Sequence, residues 1–281
     1  MDPEAYRAVS RARWERAATG WEARREDRQA ATDRVSAWMV AAIAPQPGQT
    51  VLELAAGVGD TGFRAAPLLR PGGTLISTDG AEAMVAAAER RAAELGLDNV
   101  ECRPMDAEWI DLPTASVDAV LCRWGYMLLA DPEAALRETR RVLRPGGRVA
   151  LAAWDAAERN PWIASTQAEL LAHGLTEPPD PDAPSMFAFA PPGRIEELLA
   201  STGFADARVD AVDVVHEAPS FDTWWDYQFD TSPLLGEAMT RATPEQRDAV
   251  YEGVEARLAP FVRADGSYAI PGRTLVAAAE A

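Results

Sequence analysis

The chain has 281 residues, room for one large hydrophobic core with appended elements, and its 48% hydrophobic and 25% charged composition is that of a folded globular protein. The formal net charge is −17, and every basic side chain is arginine, so a phosphate backbone is a disfavoured partner unless a local arginine patch outweighs the total. Ala37 to Ala44 is too short an apolar stretch to span a bilayer, no secretory signal is visible, and Cys102 and Cys122 read as reduced thiols, all of which point to a cytoplasmic chain.

Residues 4–44 read as helix, with Trp14, Ala17, Ala18 and Trp21 at helical spacing. A second helix is expected over Asp33 to Ile43, stopped by Pro45 and Pro47. Thr50 to Ala55 is a short buried strand, followed by Gly57, Gly59 and a helix over Asp60 to Leu69. Thr74 to Thr78, Val100 to Arg103, Val117 to Cys122 and Arg148 to Trp154 read as further strands. Helices over Ala81 to Leu95 and Glu133 to Leu143 alternate with them. Arg194 to Thr202 is then helical, Ala207 to Val215 and Arg273 to Ala279 are strands, and Pro244 to Leu258 is a helix.

Strands alternating with helices at short spacing imply an α/β fold. The expectation is a doubly wound, Rossmann-like, mostly parallel sheet of seven strands, the last returning antiparallel. Residues 1–45 are expected to form a helical lid on a domain over 46–281. Insertions at about 156–190 and 219–268 follow strands five and six, at the carboxyl edge where open α/β sheets bind ligands, and should cap the site.

The central motif is Val51-Leu-Glu-Leu-Ala-Ala-Gly-Val-Gly-Asp-Thr-Gly62, a strand running through a glycine turn into a helix. Such a turn lets backbone approach a ligand and presents unpaired N–H groups to it. Asp79 ends the second strand about twenty residues on, where a carboxylate can accept both ribose hydroxyls. A nicotinamide dinucleotide and S-adenosylmethionine both fit to this point. Glu53 inside the first strand suits a ligand with an ammonium group, Asp106 can accept from an adenine amine, and Leu143 to Ala150 repeats the short rhythm.

On these residues the sequence resembles the class I S-adenosylmethionine-dependent methyltransferases, in particular those of ubiquinone and menaquinone biosynthesis. The matching segments are Val51 to Gly59, Ile76 to Met84, Asp106 to Glu108, Ser116 to Val120 and Leu136 to Arg148, within about 50–154. The resemblance implies that Glu53, Ala55, Gly57 and Gly59 hold the methionine half of S-adenosylmethionine. It further implies that Asp79 binds the ribose, that Gly80 and Met84 lie beside the adenine, that Asp106 and Ala107 contact the adenine edge, and that Arg123 lines the methionine end. Where the family usually has glycine this chain has Ala55, whose methyl is tolerable at negative φ.

The activity implied is methyl transfer to a small, apolar or aromatic acceptor. An NAD(P)-dependent oxidoreductase and a non-catalytic ligand-binding protein of the same fold are the alternatives. His216, at the end of the sixth strand, and Tyr126, after the fourth, are the candidates for a catalytic group. His173 reads as a partner for a helix C-terminus. Trp14, Trp21, Trp124, Trp162, Phe187, Phe189, Trp224, Trp225 and Tyr227 are candidate acceptor-pocket residues, and the few histidines and cysteines have no metal-ligand spacing. Oligomeric state is not legible.

Overall fold

A computed structural model describes residues 2–178, 180 and 183–281. Seven strands form one sheet: β1 (Thr50–Leu54), β2 (Thr74–Asp79), β3 (Val100–Pro104), β4 (Val117–Arg123), β5 (Leu143–Trp154), β6 (Ala205–Ala218) and β7 (Tyr268–Glu280). Their order is β3-β2-β1-β4-β5-β7-β6. The first five pair in parallel, and β7 runs antiparallel between β5 and β6. This is the Rossmann-like sheet expected. The strand core explains why short apolar runs suffice: Val51, Leu52 and Leu54 of β1 and Val120, Leu121 and Cys122 of β4 are fully buried, as central parallel strands covered on both faces must be.

Ten α-helices accompany the sheet among the described residues: α1 (Pro3–Ala23), α2 (Arg25–Ile43), α3 (Thr61–Ala65), α4 (Glu82–Glu94), α5 (Pro132–Val142), α6 (Pro161–Ala172), α7 (Arg194–Ser201), α8 (Phe221–Thr231), α9 (Pro233–Arg241) and α10 (Pro244–Leu258). The helix expected over Asp60 to Leu69 splits: α3 ends at Ala65 and a 3₁₀ turn carries Ala66 to Leu69. Pro67 lies in that turn, and proline lacks the N–H that would continue an α-helix.

The N-terminal reading needs correction. The break falls at Arg24 rather than near Asp33. Residues 1–45 are also not one lid, because Val35, Met39, Val40 and Ile43 of α2 belong to the main core. Only α1 stands apart from it. The end of α1 is set by tertiary contacts: the Trp21 indole N–H donates to the Thr231 carbonyl at 2.8 Å, and Arg24 meets Asp230 at 2.7 Å. No local signal marks that position.

The β6–β7 hairpin is longer than the sheet it belongs to. β7 pairs with β5 only over 274–280, but with β6 from Tyr268 onward. Residues 213–218 and 268–273 therefore project past the end of β5 as a two-stranded ribbon. A second apolar cluster packs on it, with Leu170 of α6, Phe221 and Trp224 of α8, Leu235 and Met239 of α9, Val250 and Val254 of α10, and Ile270 of the ribbon. The outer strand β6 alternates exposed Asp213, Val215 and Glu217 with buried Val214, His216 and Ala218, so charge blunts its open edge.

Asn160 fastens the ribbon where it leaves the sheet. Its amide donates to the carbonyls of Asp155 (2.9 Å) and Arg273 (3.0 Å), and its Oδ1 accepts from the Arg273 N–H (2.9 Å). The side chain is fully buried. Asn160→Ala leaves these backbone groups without partners and is expected to destabilise the fold by roughly 2–4 kcal/mol, read as a lower urea midpoint. A midpoint equal to wild type would rule out this fastening.

Candidate active site

The glycine turn sits at the carboxyl end of β1. Gly57 (φ 58°) and Gly59 (φ 81°) are in the left-handed region, which glycine enters without a side-chain clash. Ala55 is there too, at φ 49°, so the expectation of negative φ is overturned. Its methyl is accommodated by Gly125, where a Cβ would stand 2.6 Å from that of Ala55. A left-handed alanine costs on the order of 1 kcal/mol, a strain held by the surrounding packing.

Asp79 ends β2 beside this turn. Its Oδ2 accepts from the Gly57 N–H and its Oδ1 from the Ala81 N–H, both at 2.9 Å. Each oxygen keeps a further lone pair. Burial pushes this carboxyl above its ordinary range, against the pull of those backbone donors. The Met105 N–H donates to the Asp79 carbonyl, which brings the segment after β3 alongside. Asp106 follows, its Oδ1 accepting from the Glu108 N–H at 2.9 Å, with Ala107 buried next to it. Gly80 is exposed at the rim, while Met84 is buried against Ala17 and Ala18 of α1.

Glu53 lies beneath the turn. It is buried, accepts from the Gly62 N–H at 2.8 Å, and faces the Ser77 hydroxyl at 3.4 Å. Its polar contacts are thus internal, and it holds α3 against β1. Burial raises its pKa from 4.5 to about 7, against the pull of the Gly62 N–H.

Arg123, at the end of β4, is fixed by partners the sequence did not indicate. It meets Asp60 of the glycine turn at 2.7 Å, and donates to Thr32 and Ser36 of α2 at 3.0 Å. Arg28 of α2 reaches the same Asp60 oxygen at 2.8 Å. Burial pushes the Asp60 carboxyl up, but the two guanidiniums outweigh that and hold it below the usual range. Two guanidiniums thus converge on one carboxylate beside the turn. The Trp21 ring stacks 4.4 Å over Arg28 and its edge lies 3.4 Å from where a Gly57 Cβ would stand.

α1 crosses the rim of this crevice. Arg7 pairs with Glu108, and Glu15 accepts from the Glu82 and Ala83 N–H groups at 2.6 and 2.9 Å, capping α4. Arg13 and Arg16 meet Glu237 of α9 at 2.8 and 2.6 Å.

The catalytic candidates part company. Tyr126 is buried in the core, its hydroxyl bonded to Thr139 at 2.6 Å, and burial raises its pKa well above the ordinary value. It is a packing residue, and its candidacy is withdrawn. His173 caps α6, with its Nε2 3.5 Å from Glu169. His216 lines a cleft of about 400 Å³ between α2, β6 and α8. Trp224 and Tyr227 line it as well. The Trp162 ring lies tilted against His216 at 4.2 Å, meets Trp154 edge-on, and Trp154 stacks on Trp124, which follows Arg123. Phe189 is buried in the main core, Phe187 is packed against it, and Trp225 lies against Phe221 and Tyr251 instead of the cleft.

A parallel sheet with a glycine turn, an acid ending β2 and a second acid after β3 defines a Rossmann-like binder of an adenosine-bearing cofactor. Residues 54–151 match the methyltransferase domain family model. Nocamycin O-methyltransferase of Saccharothrix syringae is 30% identical over 185 residues, spanning 63% of this chain and 66% of that protein. Demethylmenaquinone methyltransferase of Clavibacter sepedonicus is 38% identical over 117 residues, spanning 41% and 46%. The chain carries the methyltransferase domain over 54–151 and is similar to the class I S-adenosylmethionine-dependent methyltransferases, the ubiquinone/menaquinone-biosynthesis C-methyltransferases among them. It spans from less than half to about two thirds of the length of these curated relatives. Among solved structures, the YcgJ protein of Bacillus subtilis superposes with a TM-score of 0.60 at 19% identity, covering 88% of this chain and 98% of that one. The [4+2]-cyclase SpnF shares the fold at a TM-score of 0.53 and 19% identity, covering 88% and 80%. Fold alone therefore does not set the reaction. The oxidoreductase and non-catalytic alternatives draw no support from these relatives.

The Glu53 proton gives a stability test. The folded chain holds it more tightly than the unfolded chain, so the contribution is fully present below pH 4.5 and is lost as pH rises through about 7. Glu53→Gln is expected to gain on wild type by roughly 3 kcal/mol between pH 5 and pH 8. Denaturant melts at the two pH values check this, and an equal gap at both would contradict it.

Proposed function

We propose that the protein transfers a methyl group from S-adenosylmethionine to a small, apolar or aromatic acceptor. The observation that carries the reading is the alignment of the glycine turn, Asp79 and Asp106 along the ends of three adjacent strands, with the Arg28 and Arg123 guanidiniums at the turn. The residues present fit the cofactor. The Arg28 and Arg123 guanidiniums suit the carboxylate of its amino-acid half, next to the backbone of Ala55, Gly57 and Gly59. The free lone pairs of Asp79 suit the ribose hydroxyls. Gly80, Met84, Asp106 and Ala107 surround the place for the adenine. Glu53 supports the turn from below, and no contact from it to the cofactor is needed.

When bound, S-adenosylmethionine supplies a methyl group made electrophilic by its positive sulfur. The chain then has to orient and to exclude water. Holding two reactants in line is worth roughly 7–11 kcal/mol of barrier when the geometry is good. Trp124 stacked on Trp154, with Trp162 edge-on to Trp154, gives an apolar wall beside Arg123. α1 serves as the lid. Its ties to both rims through Arg7, Arg13 and Arg16 are mostly exposed or half-exposed ion pairs, each worth about 0–1 kcal/mol, weak enough to open and close. The acceptor enters between the lid and the cap built on the ribbon.

Asp79→Ala removes charged hydrogen-bond acceptors for the ribose and is expected to weaken binding of S-adenosylhomocysteine by about 10- to 150-fold, measured by calorimetry on protein with an unchanged circular dichroism spectrum. Unaltered affinity would reject the ribose assignment and, with it, this function.

A further inference from the structure

The two halves of α1 are held by different forces. From Trp14 onward the helix is docked by packing. Trp14, Ala17, Ala18 and Trp21 form an apolar cluster with Val58 of the glycine turn and with Ala81, Met84 and Ala87 at and beyond the start of α4. Gly20 lies so close to α8 that a Cβ there would run into the Asp230 carbonyl. The first half is different: no residue of 3–13 is buried. Its ties are polar. The Tyr6 hydroxyl donates to the Leu128 carbonyl at 2.9 Å, Arg7 pairs with Glu108, the Arg11 guanidinium lies 3.9 Å from Asp106, and Arg13 meets Glu237 at 2.8 Å.

Those ties land on both sides of the cofactor crevice. Arg7 and Arg11 reach the segment after β3, Tyr6 reaches the loop after β4, and Arg13 reaches α9. Glu108 is a firm anchor: its side chain is 6% exposed, and its other oxygen accepts from the Ala130 N–H at 2.9 Å. The Arg13 hydrogen bonds hold the Glu237 carboxyl below its ordinary range, against the effect of burial. Arg11 draws on Asp106, the acid that suits the adenine amine, so the first half of α1 lies over the adenine end of the site.

Residues 3–13 carry three arginines and one glutamate, on a molecule of net charge −17. The attraction that holds them down is therefore ionic and open to screening, which acts beyond about 10 Å at 0.1 M salt and beyond about 3 Å at 1 M. Salt does not loosen the apolar cluster that docks the second half. Once detached, a helix of this length is marginal in water, so release and local unfolding go together.

We propose that residues 3–13 are a charge latch: the first half of α1 lets go of the crevice while the second half stays docked, and this opening sets the rate at which S-adenosylmethionine enters and S-adenosylhomocysteine leaves, so that ionic strength controls cofactor exchange. The proposal rests on the methyl-transfer reading above and adds how its cofactor site is gated.

The test combines two measurements, at about 0.05 M and about 1 M NaCl. Backbone hydrogen exchange of the protein without cofactor, read by mass spectrometry, is expected to quicken about tenfold at high salt over residues 3–13 and to stay constant over 14–23. Dissociation of S-adenosylhomocysteine from immobilised protein, read by surface plasmon resonance, is expected to quicken about tenfold over the same range. The triple variant Arg7→Gln, Arg11→Gln, Arg13→Gln should show fast exchange and fast dissociation already at low salt, with no further rise. Arg90→Gln removes an exposed ion pair to Glu22 of the docked half and should leave both readouts at their wild-type values. Salt-independent exchange over 3–13, an equal response in both halves, or dissociation that responds to salt in the triple variant as it does in wild type each overturns the proposal. Wild type that fails to bind S-adenosylhomocysteine while residues 3–13 respond as described rejects the methyl-transfer reading and the gating, and retains the salt-released helix. Binding of S-adenosylhomocysteine with salt-independent exchange and dissociation rejects the latch alone.

Discussion

The buried cluster of Arg28, Asp60 and Arg123 is the constraint on which the rest of the site depends. It ties together three parts of the chain: a helix preceding the sheet, the glycine turn after β1, and the end of β4. Charges buried this deeply are tolerable only when paired and hydrogen-bonded, and removing one member of such a group typically costs about 3–5 kcal/mol. Thr32 and Ser36 supply the remaining hydrogen bonds to Arg123, and Ser36 meets Thr61 at the start of α3. The turn is therefore gripped from above by two guanidiniums and from below by Glu53. The strained backbone at Ala55 is held inside that grip.

The cap is a consequence of strand length. Because β6 and β7 run past β5, their ribbon offers an apolar face that the sheet does not cover, and α6, α8, α9 and α10 bury it. That packing sets α8 beside α2 and across from α1, which creates the cleft. A shorter hairpin would leave the cofactor crevice intact and abolish the chamber beside it. The division of labour is plain: the parallel half of the sheet presents the residues that fit the cofactor, and the antiparallel half carries the cap and the cleft.

The methyltransferase domain match covers 54–151, and what makes this chain particular lies outside it. Arg28 and Trp21 come before that segment, and His216, Trp224 and Tyr227 after it. This is the pattern expected when one fold hosts many reactions and the segments around a common cofactor site choose among them. Nothing in the shared segment distinguishes one acceptor from another.

Much of the architecture was legible in the residues alone. Strand after helix after strand, the glycines at 57 and 59 and the acid at 79 are local patterns, set by side-chain period and by what φ a residue can adopt, and the fold obeys them. Other features could not be read that way. Arg28 is one of many arginines in a helix-forming stretch, and only folding shows that it, with Arg123, meets Asp60. Tyr126 and His216 both follow strands and look equivalent in sequence, yet one is buried against Thr139 and the other faces a cleft. Glu53 suggested a ligand and turned out to bind the turn itself, because its position inside β1 points it at the Gly62 N–H. Spacing along a chain determines which elements form and in what order. Which side chains meet across them is decided by packing between segments distant in sequence, and the charge cluster, the placing of α1 across the crevice and the cleft are all of that second kind.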